Sequence, residues 1–211
     1  MTPAAALAAD IGAISDVTGA ARVFRDKGYN ASLNFDLRLM DDLRTQNGRL
    51  EATFLDSSVV RLTEHSTLTI DEYVYDPDPS KSKMALNFAS GTARFVTGAL
   101  GRIDKQNIRI TTHTADIAIR GTDFTCTVDE LGRSLIILLP DLNGDASGEI
   151  VVTTALGSVA LNKPYQATTV DVFESPPTKP VILDLTLEII DNLLIVSPPK
   201  TVVQREEEQA T

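Results

Sequence analysis

The residues best suited to chemistry in this sequence are five oxygen-bearing side chains within nine positions. The segment DLNGDASGE carries them at alternate positions: Asp141, Asn143, Asp145, Ser147 and Glu149. Calcium binds six to eight oxygens from a tight loop, and the spacing D-x-N-x-D opens such a loop. The match then fails, because Ala146 stands where glycine is needed and Val152 where a bidentate glutamate is needed. We therefore predict a polar hairpin turn, with Asp141, Asn143 and Asp145 as a weak candidate cation site.

The other reactive residue types do not form a catalytic set. His65 and His113 are the two histidines, and Cys126 is the single cysteine. A metal site needs more donors at binding spacing, and a catalytic base needs a nucleophile and an orienting carboxylate. Cys126 shares its parity with Phe124 and Val128, which indicates a buried thiol that behaves as a small hydrophobe. The sequence thus predicts no catalytic residue, no metal and no cofactor, so we expect a protein that is not an enzyme.

Composition restricts both the class of protein and its partners. The 211 residues are 43% hydrophobic, which is enough for a real core. A formal net charge of −10 repels phosphate backbones and anionic membrane surfaces, so we expect neither nucleic acid nor a membrane as partner. The start of the sequence, with no Lys or Arg before Arg22, is a poor signal peptide. We expect either a cytoplasmic origin or a signal that has already been removed.

The elements that must position these residues are short strands. Apolar residues alternate with polar ones at 50–54, 68–70 and 84–88, and each set would face one side of a sheet. Further candidate strands cover 92–96, 107–111, 115–120, 124–128, 134–139, 149–154, 158–161 and 166–173. Turn residues such as Asn47-Gly48 and Asn143-Gly144 separate them. The pattern predicts an all-β fold, a sandwich or a β-roll of many short strands.

Composition changes near residue 175. We predict an N-terminal segment at 1–13, a β domain at 14–174, a stiff proline-rich connector at 175–180 and a C-terminal apolar arm with an acidic tail at 181–211. The arm either covers the domain's own core or docks on another subunit. Its candidate contact residues are apolar: Val181, Ile182, Leu183, Leu185, Leu187, Ile189, Ile190, Leu193, Leu194, Ile195 and Val196.

Two spaced motifs resemble the FecR domain family. LNFASGTARFVTG at 86–98 and NIRITTHTADIAIRGTDFTCTV at 107–128 are similar to the family's G-x-x-x-F-V-x-G and T-P-x-A-x-x-x-I-R-G-T-x-F-x-V patterns. RTQNGRLEATFLDSSVVRLTEHSTLTI resembles the upstream signature, so the likeness covers roughly 14–170. The family's Thr-Pro is here Thr112-His113, and its Asp-Gly-Ser is Asp56-Ser57-Ser58.

The motif residues are predicted to be structural. They are Gly91, Phe95, Gly98, Arg120, Gly121, Thr122 and Phe124. We expect Gly121 to allow a bulge or a close backbone approach in mid-strand, and Thr122 to restart the strand with Phe124 inward. We expect a carboxylate or carbonyl groups to anchor Arg120, with binding of a partner as the alternative role.

The resemblance implies two functions of different classes. FecR domains look like the periplasmic sensing part of an iron-uptake signalling protein that controls a sigma factor. Related domains also occur as structural proteins of tailed phages, and this chain's organisation is similar to virion proteins of phages that infect marine cyanobacteria. Our leading hypothesis is a virion structural protein of the neck, tail or baseplate, made in the host cytoplasm, which contacts other virion proteins as a homo-oligomer or ring. The alternative is an envelope signalling or ligand-binding β module in the periplasm or cell envelope.

Overall fold

A computed structural model describes residues 9–76, 78–100 and 108–186. This part of the chain contains fifteen β-strands and one short 3-10 turn at Pro79–Lys81. The strands are β1 Gly12–Phe24, β2 Gly28–Asn30, β3 Asp36–Leu37, β4 Asp42–Phe54, β5 Val59–Leu62, β6 Thr67–Val74, β7 Lys83–Val96, β8 Ile108–Thr111, β9 Asp116–Arg120, β10 Asp123–Val128, β11 Ser134–Leu138, β12 Glu149–Thr154, β13 Gly157–Leu161, β14 Gln166–Val170 and β15 Val181–Ile182. The predicted all-β class is confirmed.

The three long strands β1, β4 and β7, called the trunk below, connect two branches of sheet, and β7 is joined to β4 through β5 and β6. β1 and β4 pair along their whole length, with Gly19 opposite Gly48 near the middle. The first half of β4 then pairs with β6 and the second half with β5. β7 divides in the same way, since its first half lies between β6 and β8 and its second half between β5 and β10. The first branch contains β6, β8, β9, β12 and β13, and the second contains β5, β10, β11, β14 and β15.

Gly91 lies where β7 passes from one branch to the other. Its φ of +94° is a left-handed conformation that residues with a Cβ rarely adopt. A Cβ added there would collide with the side chain of Ser66. Two residues before Gly91, Ala89 has no pairing partner on β6, although Phe88 and Ser90 on either side of it are paired, which is a β-bulge. The two strands predicted at 84–88 and 92–96 are therefore one bent strand of 14 residues.

One hydrophobic core joins the two branches. It includes the alternating residues predicted from the sequence, among them Leu50, Leu68, Leu86 and Phe124. Phe95 stacks on Phe124 with 5.0 Å between ring centroids, and Phe88 meets the edge of Phe95 at 5.9 Å. Residues of both branches therefore share this core.

A second, smaller apolar cluster is partly covered by the start of the C-terminal arm. Ile137, Leu139 and Ala167 form it, and Leu183 and Leu185 pack against it. The amide of Leu183 donates to the carbonyl of Tyr165 at 3.0 Å. These two leucines therefore contact their own domain. Val181 and Ile182 are exposed, and the remaining arm candidates lie outside the described residues: Leu187, Ile189, Ile190, Leu193, Leu194, Ile195 and Val196.

Among the described ranges, no helix is long and apolar enough to cross a membrane. The predicted domain boundaries at 14, 174 and 180 stay predictions.

Candidate functional site

The turn between β8 and β9 is fixed by three buried hydroxyl groups. The hydroxyls of Thr112 and Thr114 each lie 2.8 Å from that of Ser134, the first residue of β11. Thr112 Oγ1 also accepts hydrogen bonds from the amides of Thr114 and Ala115 at 3.3 and 3.0 Å. This network holds the first branch against the second. It leaves His113, between the two threonines, exposed at the surface.

His113 forms one wall of an open groove of about 580 Å³. Its ring lies against the β10–β11 turn, since a Cβ added at Gly132 would be 3.0 Å from His113 Cδ2. The bulged part of β7, at residues 87–90, forms another wall. The groove is lined by Asn87, Ala89, Ser90, Thr112, His113, Asp129, Glu130, Leu131 and Gly132.

Asp129 orders the turn that closes the groove. Its carboxylate accepts hydrogen bonds from the amides of Leu131 and Arg133, both at 2.9 Å, and from Arg133 Nε at 2.7 Å. Desolvation acts to raise the pKa of Asp129, but these hydrogen bonds outweigh it and lower the pKa below its usual value. Asp129 is therefore ionised at neutral pH, and the ordered turn holds Leu131 76% exposed beside the groove.

The groove is suited to binding. It combines an imidazole, two acidic side chains and an exposed leucine on walls fixed by hydrogen bonds. Rigid surfaces that pair an apolar contact with a few polar groups are typical of recognition sites. Across the described parts of the chain, no group of three or more His, Cys, Asp or Glu side chains is placed to hold a metal.

The Arg-Gly-Thr motif carries the chain from one branch to the other. β9 ends at Arg120 and β10 begins at Asp123, close to the two strands predicted at 115–120 and 124–128, so Gly121 lies between two strands and not in the middle of one. Gly121 has a φ of +56°, and Thr97 Oγ1 accepts from the amide of Thr122 at 2.7 Å. A strand cannot continue here because β9 pairs with β8 and β12, whereas β10 pairs with β7 and β11.

The backbone of Gly148 lies close to that of Arg120 and Gly121. A Cβ added at Gly148 would collide with the carbonyl oxygens of Arg120 and Gly121. Nearby, the hydroxyl of Ser147 donates to the carbonyls of Asp123 and Leu139 at 3.0 and 2.7 Å. Phe124 is fully buried, as predicted from its parity, while Arg120 is exposed at the end of β9.

Two other motif segments meet at Gly98. Its amide donates to Ser58 Oγ at 2.9 Å, and a Cβ at this position would collide with the backbone of Asp56. The buried carboxylate of Asp56 accepts from Ser58 Oγ at 2.6 Å and lies 3.2 Å from the hydroxyl of Tyr73. The Asp-Ser-Ser segment and Gly98 therefore belong to one buried hydrogen-bonded network.

Arg94 is buried, which the sequence patterns did not predict. Its side chain is 1% exposed and pairs with Asp123 through two hydrogen bonds, Nε to Oδ1 at 2.8 Å and a terminal nitrogen to Oδ2 at 2.6 Å. The positions are 29 residues apart in sequence, so no local spacing could have revealed the pair. The signal available was a charged residue at a central position of the apolar motif ARFV.

The remaining candidates have structural surroundings. Asp141 Oδ1 accepts from the amides of Asn143 and Asp145 at 2.8 and 3.0 Å, which is the geometry of a polar turn. Cys126 is buried, and desolvation raises the pKa of its thiol to about 12. A thiol this far from ionising is a poor nucleophile.

One protein family and two solved structures resemble this chain. The family model described as FecR protein matches residues 41–140. Two crystal structures of a candidate anti-sigma factor from Parabacteroides distasonis ATCC 8503 have a similar fold, with 15% and 14% identity and TM-scores of 0.53 and 0.52. They align with 69% and 68% of this chain and with 61% and 60% of their own, so this chain spans about three fifths of their length. No curated protein matches the sequence.

The hypothesis of a phage virion protein is wrong. The FecR match and the two anti-sigma-factor structures agree instead with the alternative, a bacterial envelope signalling module. Neither the neck, tail or baseplate role nor a location in the virion has support among these relatives. The family match is consistent with a location in the periplasm or cell envelope.

Proposed function

Because residues 41–140 match the FecR protein family model, we propose that this chain is the signal-receiving module of a bacterial envelope protein that regulates a sigma factor. The module acts in the periplasm through protein-protein contacts and has no enzymatic activity. The candidate anti-sigma factor with the same fold supports this assignment. A homo-oligomeric state, and the absence of nucleic-acid and membrane partners, stay predictions.

The position of the His113 groove within the family match supports it as the site of this function. All nine residues that line the His113 groove fall within 41–140, the part of the chain that matches the family. The groove walls come from β7 of the trunk, the β8–β9 turn of the first branch and the β10–β11 turn of the second. A partner bound there contacts both branches at once. We therefore assign signal reception to this groove, with the exposed side chains of His113 and Leu131 as contact residues.

The surface chemistry favours a protein partner. Leu131 is exposed next to Glu130 and next to Asp129, whose charge Arg133 partly offsets, so an apolar contact is bordered by acidic side chains. Protein interfaces commonly have such an apolar centre and polar rim. A partner surface with an apolar pocket and basic residues around it would complement the groove.

The test is transcriptional, in the bacterium that encodes the chain. Deleting the gene should change transcription of the genes that depend on one sigma factor. The double variant His113→Ala with Leu131→Ser should block the response to the inducing condition while the protein remains at normal abundance. Leu142→Ser is the matched control, because Leu142 is 56% exposed on the loop before β12 and outside the groove.

The outcomes separate the role of the protein from the role of the site. A deletion that leaves every sigma-factor regulon unchanged overturns the proposed function. A deletion that changes one regulon, together with a groove variant that responds like the control, overturns the assignment to the His113 groove.

A further inference from the structure

Two arginines lie directly opposite each other on the outer surface of the trunk. Arg22 on β1 pairs in register with Arg44 on β4, and Arg44 pairs in register with Thr67 on β6. Like charges at directly opposed positions of an antiparallel pair are unfavourable. The chain keeps this arrangement although its formal net charge is −10. The two cations therefore call for an explanation other than general solubility.

The two guanidinium groups are held by one aromatic ring. The Cζ atoms of Arg22 and Arg44 lie over the ring of Phe24, 5.0 and 4.6 Å from its centroid. Asp42 Oδ2 accepts hydrogen bonds from Nε and one terminal nitrogen of Arg44 at 2.9 and 2.6 Å. Cation–π contacts and this ion pair limit the motion of both side chains. The arginines are thus positioned before any ligand arrives.

Arg22 keeps most of its donor capacity. Its hydrogen bond to a described residue is a 3.4 Å contact from one terminal nitrogen to the carbonyl of Gly28. A guanidinium group has five N–H donors. With respect to the described residues, four donors of Arg22 and the second terminal nitrogen of Arg44 remain for a ligand.

The arginines line a small groove that is separate from the His113 groove. Its volume is about 320 Å³. His65 forms part of the wall in a left-handed backbone conformation, with φ at +56°, and its amide donates to the carbonyl of Gln46 at 3.0 Å. Left-handed backbone at a residue with a bulky side chain often marks a functional site. The lining residues are Arg22, Phe24, Arg44, Thr45, Gln46, His65 and Thr67.

We propose that this groove binds the phosphate group of a small ligand or of a lipid headgroup. The planar forks of two guanidinium groups match the oxygens of a phosphate, and Arg22 and Arg44 supply positive charge, part of which Asp42 offsets at Arg44. Binding also removes the like-charge repulsion between Arg22 and Arg44, which makes the bound state more favourable than contacts alone would. His65, Gln46 and Thr67 supply polar contacts to the remaining oxygens.

This inference does not depend on the proposed signalling function. Arg22 and Phe24 lie outside the residues that match the family, 41–140. The site can therefore be tested on the purified chain without a partner protein.

The first experiment titrates the isotope-labelled full chain with inorganic phosphate at low ionic strength, followed by amide NMR. We expect saturable shifts at residues 22, 44, 65 and 67. Arg22→Gln and Arg44→Gln should each weaken phosphate binding at least about tenfold, because each removes charge-assisted hydrogen bonds. Arg109→Gln is the matched control: it removes the same charge from an exposed position on β8 and should leave the affinity unchanged.

A second arm identifies the source of the phosphate group. Vesicles of phosphatidylcholine with phosphatidic acid are compared with vesicles of phosphatidylcholine alone, using wild type and Arg22→Gln. Saturable binding of free phosphate without binding to vesicles assigns the groove to a soluble ligand, and Arg22-dependent binding to phosphatidic acid assigns it to a lipid. The proposal is overturned if millimolar phosphate leaves the four amides unmoved, or if Arg109→Gln weakens binding as much as Arg22→Gln.

Discussion

Replacing Asp123 with asparagine tests whether the buried ion pair supports the fold. The Arg94 side chain is 1% exposed and that of Asp123 is 15% exposed, and two short hydrogen bonds join them. Asparagine keeps the shape of the side chain but removes its charge, so the buried guanidinium group loses its attraction to the Asp123 carboxylate. Breaking a buried pair in this way costs about 3–5 kcal/mol in the free energy of unfolding.

An exposed ion pair of the same residue types provides the control. Arg38 Nε and Asp10 Oδ1 lie 2.9 Å apart, but their side chains are 30% and 48% exposed. Solvent weakens the attraction between exposed charges, and such pairs contribute about 0–1 kcal/mol. Asp10→Asn is the same substitution and should reduce the free energy of unfolding by no more than this.

Thermal unfolding followed by far-ultraviolet circular dichroism measures the difference, since the chain has no tryptophan. For a domain of this size each kcal/mol corresponds to about 2–4 °C in Tm, so Asp123→Asn should lower Tm by about 6–20 °C. Asp10→Asn should lower it by less than about 4 °C. Equal shifts in the two variants would refute the claim that burial sets the strength of the Arg94–Asp123 pair.

Three further predictions concern the fork, the buried thiol and the arm. Gly91→Ala should destabilise the protein by about 3 kcal/mol or more in urea unfolding, because alanine is strained at this left-handed φ and its Cβ would collide with Ser66. Gly144→Ala is the control: φ is +86° there but the space around it is open, so the loss should be about 1–2 kcal/mol. Equal losses would contradict the steric explanation. Burial raises the pKa of the Cys126 thiol from an ordinary 9.0 to about 12, so the thiol ionises at lower pH in the unfolded chain, and stability should fall as pH rises from 9 toward 12. Cys126→Ala should reduce this loss of stability in unfolding curves measured at alkaline pH. An unchanged pH dependence would show that the thiol is not its source. Leu185→Ser should cost about 1–2 kcal/mol by uncovering the second apolar cluster, whereas Ile182→Ser, at a position 62% exposed, should cost less than about 0.5 kcal/mol; equal costs would mean that Leu185 does not cover the cluster.

Period-two patterning was enough to predict the class of fold and the residues that face its core. Leu50, Leu68, Leu86 and Phe124 are buried as their parity predicts, because a strand side chain alternates between two faces. Patterning failed where the backbone bends. β1 contains Gly19 and runs of small residues, so its alternation is too weak to reveal a strand of 13 residues, and the bulge at Ala89 reverses the parity within β7.

The binding sites could not be predicted from local sequence. The His113 groove combines segments at 87–90, 112–113 and 129–132, and only the pairing of β7, β8 and β10 brings them together. The virion hypothesis rested on the ends of the chain and on the apolar arm, neither of which is a property of the fold. In the part of the arm nearest the domain, Leu183 and Leu185 pack against the second apolar cluster of the same domain.

The central position of β7 has a consequence for how the protein folds. This strand has four different neighbours, β5, β6, β8 and β10, and its pairing with β8 is parallel. Parallel neighbours need a crossover connection, and sheets dominated by non-local pairs form slowly. The amides of β7 should therefore exchange with deuterium only on global unfolding, whereas those of β15 at the edge should exchange through local opening.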